Sequence, residues 1–324
     1  YKASLVGGES FTDLTAGLGV DCSFLARRFR RADYVERQET LCRLAAHNFP
    51  LLGLDHIRVH HADALEYLRE MEPVDCLFLD PARRDSHGGK TVAITECEPD
   101  VCALESLLVE KGRKVMVKLS PMLDMASALR DLKYIRELHV IAVNNECKEL
   151  TAVLYQMNSV NESSEKEVVI SCEQAVHNSL SEPFTYTLSE EKNAVCQLAD
   201  RVETYLYEPG AALLKAGPYR LLSQRYGVKK LHPNSHLYTS SVQVDFPGRC
   251  FQVTGISGFG KKEVKELLGG LEKANLTVRN FPASVADLRK KLKLKEGGDV
   301  YLFATTLQNG EKVLIKCLKP ALLS

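Results

Sequence analysis

None of the ten cysteines stands in a C-x-x-C pair, and none shares a ligand spacing with histidine. A structural zinc site normally shows such close pairs, so no metal is expected. A secreted disulfide framework crowds its cysteines into a shorter chain. Ten in 324 residues are therefore expected to be reduced, mostly buried and cytoplasmic. No apolar run approaches the roughly 18 residues that suggest a membrane span. Net charge is missing too: 42 basic residues balance 42 acidic ones, so the chain as a whole does not attract nucleic acid or anionic membrane. The chain begins at Tyr1 rather than Met, and further sequence is expected ahead of it.

Two phosphate-binding signatures are absent as well. "DLTAGLGVD", Asp13 to Asp21, carries Gly17 and Gly19 behind an apolar segment, but the third glycine of G-x-G-x-x-G is replaced by Cys22. That disfavours a nicotinamide dinucleotide. No Gly-Lys-Ser/Thr run offers a P-loop. The glycines either serve a tight turn or admit a ligand close to the backbone, and such a ligand lacks a pyrophosphate.

What is present is alternation. Strand-like runs at 10–15, 32–36, 57–63, 74–80 and 113–120 alternate with helix-like runs at 20–29, 37–52, 64–70, 99–111 and 122–132, the last started by Pro121. This order predicts parallel strands with helices on both faces. The runs 134–143 and 149–157 follow with only "NNECK" between them. That link is too short for a parallel crossover, so a sixth strand is followed by an antiparallel seventh. The fold class is thus α/β, a Rossmann-like seven-stranded sheet with its last strand antiparallel. The expected divisions are 1–158, a linker and small α+β subdomain at 159–246, and an α+β domain at 247–324. "NSVNESSEKE" reads as linker. From Pro247 the order is β-α-β-α-β-β, a ferredoxin-like pattern ending in a hairpin around Asn309-Gly310. Before it, two short helices split by Gly217-Pro218 are expected.

In an open α/β sheet, ligands bind outside the carboxyl ends of the strands. Four successive strands end there in an acid: Asp13, Glu36, Asp63 and Asp80. Like charges so gathered repel, and carboxylates are acceptor-only groups. They suit a cationic ligand bearing hydroxyls and an amine. Glu36 would take the hydroxyls of a ribose, Asp63 an exocyclic amine, and Asp13 either the glycine loop or an ammonium. Helix N-capping is the competing role for each acid.

The order Asp13, Gly17, Gly19, Glu36, Asp63 and "DPAR" (Asp80 to Arg83) resembles class I S-adenosylmethionine-dependent methyltransferases. "DLTAGLGVDCSFLA", "DPARRD", "VKLSPMLD", "NECKEL" and the tail from "HLYTSS" to "LTVRNFP" resemble a branch of them with a THUMP-like C-terminal domain. The resemblance implies S-adenosylmethionine as cofactor, held by Asp13, Thr15, Gly17, Gly19, Glu36, Asp63, Ala64 and Asp80. It places Asp80, Pro81 and Arg83 at methyl transfer. THUMP-type domains in related proteins bind RNA, so tRNA or rRNA is the implied substrate. Two departures stand out. Ala82 and Arg83 occupy positions where amino-methylating relatives carry proline and an aromatic residue, which puts an exocyclic-amine target in doubt. Arginine still stacks on bases or binds phosphate. An RNA-binding protein with a silent methyltransferase fold, and a methyltransferase of proteins or small molecules, are the alternatives.

Other residues are weighed against ordinary roles. Cys97 and Cys147 are read as structural rather than as nucleophiles. Lys118 is read as solvated rather than phosphate-binding, and Arg84 and Asp85 as a surface pair. His232 and His236 lie four apart, but Pro233 breaks the helix that would align them on a metal. From Pro247 to Ser324 there are 14 Lys and Arg against 7 Asp and Glu. Lys261, Lys262 and Lys265 on one helix, and Arg289, Lys290 and Lys291 on another, are the RNA-binding candidates.

Overall fold

A computed structural model describes residues 1–83, 94–156, 167–176, 179–180 and 182–320. Arg84, Asp85 and the stretch 158–166 lie outside the described residues, as does the side chain of Arg83. The chain divides into two compact units, Tyr1–Thr187 and Leu188–Ser324.

In the first unit the alternation holds: β1 (Gly8–Asp13), α1 (Val20–Leu25), β2 (Phe29–Glu36), α2 (Glu39–Leu51), β3 (Ile57–His61), α3 (Ala64–Glu70), β4 (Val74–Leu79), α4 (Val101–Lys111), β5 (Gly112–Leu119), α5 (Met125–Asp131), β6 (Ile135–Val143) and β7 (Glu146–Leu154). Strand order is β3-β2-β1-β4-β5-β7-β6. All neighbours among β1 to β5 are parallel, and β7 runs antiparallel between β5 and β6. Order reverses between β1 and β4, which opens a crevice at their carboxyl ends. Against one face, Cys22 and Leu25 of α1 and Cys42, Ala45 and Phe49 of α2 pack on Phe11, Tyr34 and Phe78. These apolar runs on β1, β2 and β4 are what a strand covered on both faces requires.

Two expectations need correction. α5 starts at Met125, not near Pro121, because the Asp124 carboxylate accepts the Ala126 and Ser127 N–H groups and caps it there. The sheet also continues past 158: β8 (Val169–Val176) pairs parallel with β6, and β9 (Ser179–Leu180) and β10 (Phe184–Thr187) pair with β8. These backbone ladders bind 169–187 to the first unit.

The second unit holds α6 (Leu188–Asn193), β11 (Tyr205–Pro209), α7 (Ala211–Ala216), α8 (Tyr219–Tyr226), β12 (Lys229–Lys230), β13 (Tyr238–Ser240), β14 (Gly248–Ser257), α9 (Lys261–Leu268), β15 (Asn275–Arg279), α10 (Val285–Leu292), β16 (Val300–Thr306) and β17 (Lys312–Leu318). The β-α-β-α-β-β order from 247 is present. Its strands share one sheet with the preceding ones, in the order β12-β13-β11-β14-β17-β16-β15. The expected boundary at 246 therefore falls between two paired strands, β11 and β14. α9 and α10 cover one face, on a core of Ala274, Leu276, Leu288, Leu302 and Leu314.

Candidate active site

The loop after β1 is set by two different glycine requirements. Gly17 has φ of 53° and Gly19 of 76°, a region costly for any residue with a Cβ. A Cβ on Gly19 would also lie 3.0 Å from Phe49 Cζ and 3.4 Å from Tyr34 Cε2. Gly19 is thus a packing glycine, and it does not border the cavity described below. Gly17 does. Its N–H donates to Glu36 Oε2 at 3.0 Å, and its carbonyl accepts from the Tyr34 hydroxyl at 2.5 Å. Glu36 Oε1 accepts the Gln38 N–H at 2.9 Å. One carboxylate, 9 % exposed, therefore ties the glycine loop to the start of α2. It keeps further lone pairs for a ligand.

Asp13 is 1 % exposed and accepts the Thr15 N–H at 3.1 Å. Its other oxygen has no hydrogen-bond partner among the described residues. Burial pushes its carboxyl well above the usual range; the Thr15 bond opposes this, and nearby Asp21 and Asp80 add to it. Asp13 sits behind the loop it supports and does not line the cavity. Asp63 caps α3, its Oδ1 accepting Leu65 N–H at 2.9 Å and Glu66 N–H at 3.2 Å. The Thr15 hydroxyl accepts the Asp80 N–H at 2.6 Å and so couples the ends of β1 and β4.

These pieces enclose a cavity of about 520 Å³. Thr15, Gly17, Glu36, Asp63, Ala64 and Asp80 line it, with Leu65, Ala103 and Leu104 as apolar wall. Of the eight expected cofactor residues, only Asp13 and Gly19 lie outside the lining. Sequence reading missed the far wall: Arg37, paired with Glu98 at 3.2 Å, and Pro99, Asp100, Ala103 and Leu104. Their helical spacing read only as α4, and nothing in it signalled which face borders a cavity.

A second cavity of about 300 Å³ shares Asp80 and Ala82 with the first. Pro81, Cys97, Lys118, Ser120, Pro121, Leu123, Lys148 and Glu149 also line it. Lys118 Nζ is 2.7 Å from Asp80 Oδ2 and 3.1 Å from Asp21 Oδ2. Burial opposes the lysine's charge, but its hydrogen bonds to Asp80 and Asp21 and their field outweigh burial and raise its pKa. Lys118 is thus held in ion pairs, not merely solvated as expected.

In the second unit, Lys261, Lys262 and Lys265 lie exposed on α9, and Lys290 and Lys291 exposed on α10. Lys291 Nζ stands 5.7 Å from the Phe259 ring centre. Arg289 is half-buried and donates to the Ala274 carbonyl at 3.3 Å. Both helices belong to one layer. The opposite flank of α9 is acidic, with Glu263, Glu266 and Glu311 around a cavity of about 450 Å³.

Residues 205–247 match a ferredoxin-like domain family, and residues 248–319 a THUMP domain-like family. A crystal structure from Porphyromonas gingivalis W83, assigned by name as a methyltransferase, is 36 % identical with a TM-score of 0.89. That match covers 99 % of this chain and 80 % of that one. An rRNA methylase from Streptococcus thermophilus is 13 % identical with a TM-score of 0.35, over 48 % of this chain and 92 % of its own. TrmK of M. capricolum, solved with S-adenosyl-homocysteine, is 11 % identical with a TM-score of 0.36, over 50 % and 69 %. No curated protein matches the chain.

Proposed function

The chain belongs to the family of the Porphyromonas gingivalis methyltransferase, and on that premise we propose that it transfers a methyl group from S-adenosylmethionine to RNA, either tRNA or rRNA. The observation that carries this reading is the larger cavity, where Glu36, Asp63 and Asp80 meet around Gly17. Its donor set fits an adenosyl sulfonium. Glu36 has lone pairs left for two ribose hydroxyls, Asp63 and the Ala64 backbone meet the adenine edge, and Leu65, Ala103 and Leu104 cover the ring. Asp80 supplies negative charge at the side where the two cavities join, as a sulfonium favours.

Bound there, S-adenosylmethionine supplies an activated methyl carbon, and the protein supplies orientation and proton management. The Thr15 hydroxyl accepts the Asp80 backbone N–H and Lys118 donates to its carboxylate, so backbone and side chain of Asp80 are each held before substrate arrives. Pro81 and Ala82 line the smaller cavity, from which the acceptor would approach. The basic residues of α9 and α10 support RNA docking through phosphate contacts.

The test is transfer of labelled methyl from the cofactor to total cellular RNA, with protein and small-molecule fractions alongside. Label in RNA supports the reading. Label confined to the other fractions contradicts its RNA part, and no label anywhere contradicts turnover.

A further inference from the structure

The smaller cavity indicates which kind of atom receives the methyl group; this step rests on the reading just given. Four of its lining residues are charged: Asp80, Lys118, Lys148 and Glu149. Among the described residues none that lines it is aromatic, so this wall offers no plate for stacking a base. Behind the wall, charges alternate without a break. Asp80 pairs with Lys118 at 2.7 Å, Lys118 with Asp21 at 3.1 Å, Asp21 with Lys2 at 3.0 Å, and Lys2 with Glu149 at 2.7 Å. Thr151 adds a hydroxyl donor to Glu149 at 3.1 Å. Side-chain exposure along this chain of ion pairs runs from 13 % at Glu149 to 43 % at Asp80. It is a built element, not five solvated ends.

The array restricts the acceptor. An ammonium has three N–H donors. Two of those of Lys118 serve Asp80 and Asp21, and among the described residues one remains. Among the described residues, the second oxygen of Asp80 also remains as an acceptor. A group seated between them must accept from a cation and donate to a carboxylate. A hydroxyl does both. An exocyclic base amine is a poor acceptor, so it would leave the remaining Lys118 N–H without a partner. Methylation of a hydroxyl builds negative charge on oxygen as the proton leaves, and Lys118 stabilises that charge. Within an RNA strand, the free hydroxyl repeated at every nucleotide is the ribose 2′-OH.

We propose that the acceptor is the ribose 2′-hydroxyl of RNA, held between the Asp80 carboxylate and Lys118 Nζ. The acceptor oxygen forms its bond to the methyl carbon as the carbon–sulfur bond breaks, and that electron pair stays on sulfur. The hydroxyl proton passes to Asp80 and from there to solvent. The products are a neutral ether and a thioether, with no redox change.

The deciding experiment labels RNA with the chain and isotopic cofactor, then digests it to nucleosides for fragmentation mass spectrometry. The label is expected on the ribose fragment, in a linkage resistant to alkali. Label on the base fragment overturns this inference and leaves RNA methylation standing; no label in RNA overturns both. Replacing the modified nucleotide by its 2′-deoxy form should abolish labelling. Lys118→Met should lower kcat about 100-fold, the loss typical of removing one donor to a developing oxyanion. A thermal melt reports that the variant folds, and kcat should fall far more than cofactor affinity measured by calorimetry. Unchanged kcat overturns the role of Lys118.

Discussion

Asp13 shows how one residue can be found by sequence and its task still be left open. The sequence places an acid at the end of the first strand and offers two duties, loop support or contact with a cation. The geometry supports the first, through the Thr15 hydrogen bond and near-complete burial. A carboxyl whose folded pKa is raised binds its proton better in the fold than in the unfolded chain. Its stabilising contribution is therefore complete below the unfolded value of about 3.9 and is lost as pH rises through the folded value. Asp13→Asn removes that loss. Thermal melts at increasing pH are expected to show the variant gaining on the wild type, and a gap that shrinks with pH would contradict the assignment. Asp21 behaves oppositely. Burial disfavours its charge, yet Lys2 and Lys118 hold its carboxyl below the ordinary value, so its contribution disappears as pH falls. Gly19 was legible as a loop glycine but not as a packing one, because Phe49 reaches it from the far end of α2. Gly19→Ala should cost about 1–3 kcal/mol of stability by denaturant unfolding, while Gly17 substitutions act on the ligand side.

At the scale of elements, the β-α alternation was readable because apolar runs and caps repeat with the period of the fold. Strand ends carried the acids outward to one edge, and the parallel order gathered them. The wall across the cavity was not readable. Arg37 and Glu98 are 61 residues apart, and their pairing depends on which loop lies opposite which. The chain from Asp80 to Glu149 was hidden for the same reason: Lys118 on β5 and Glu149 on β7 become neighbours only through the antiparallel insertion of β7. Asp63 carries two element-level duties that substitution can separate. Asp63→Asn keeps a good helix cap but no longer offers a purely accepting carboxylate. It should leave the melting temperature nearly unchanged and weaken cofactor binding. Asp63→Ala should lose both, with about 1 kcal/mol of stability from the cap alone. Full cofactor affinity in the Asp63→Asn variant would remove Asp63 from the adenine site.

The whole molecule separates into two units, and the charge balance of zero conceals an uneven distribution. The excess of basic residues after Pro247 is visible in the sequence, and α9 and α10 present it on a single layer. The extension of the first sheet by β8 to β10 was not visible, because 169–187 follows a polar stretch that reads as linker. Charge reversal at Lys262, Lys265, Lys290 and Lys291 should weaken RNA binding for all sequences alike and flatten its dependence on salt, since such contacts act through released counterions. Filter binding across a salt series measures both. An unchanged slope would place the RNA surface elsewhere.

The central claim is that the cavity at the ends of β1 to β4 holds an adenosyl cofactor. Its most direct test is calorimetric titration of S-adenosyl-homocysteine into the wild-type chain and into Ala103→Trp, which fills the apolar wall without touching Glu36 or Asp63. The account expects one-to-one binding by the wild type and none by the variant at equal thermal stability. Equal binding by both, or binding by neither, would contradict it.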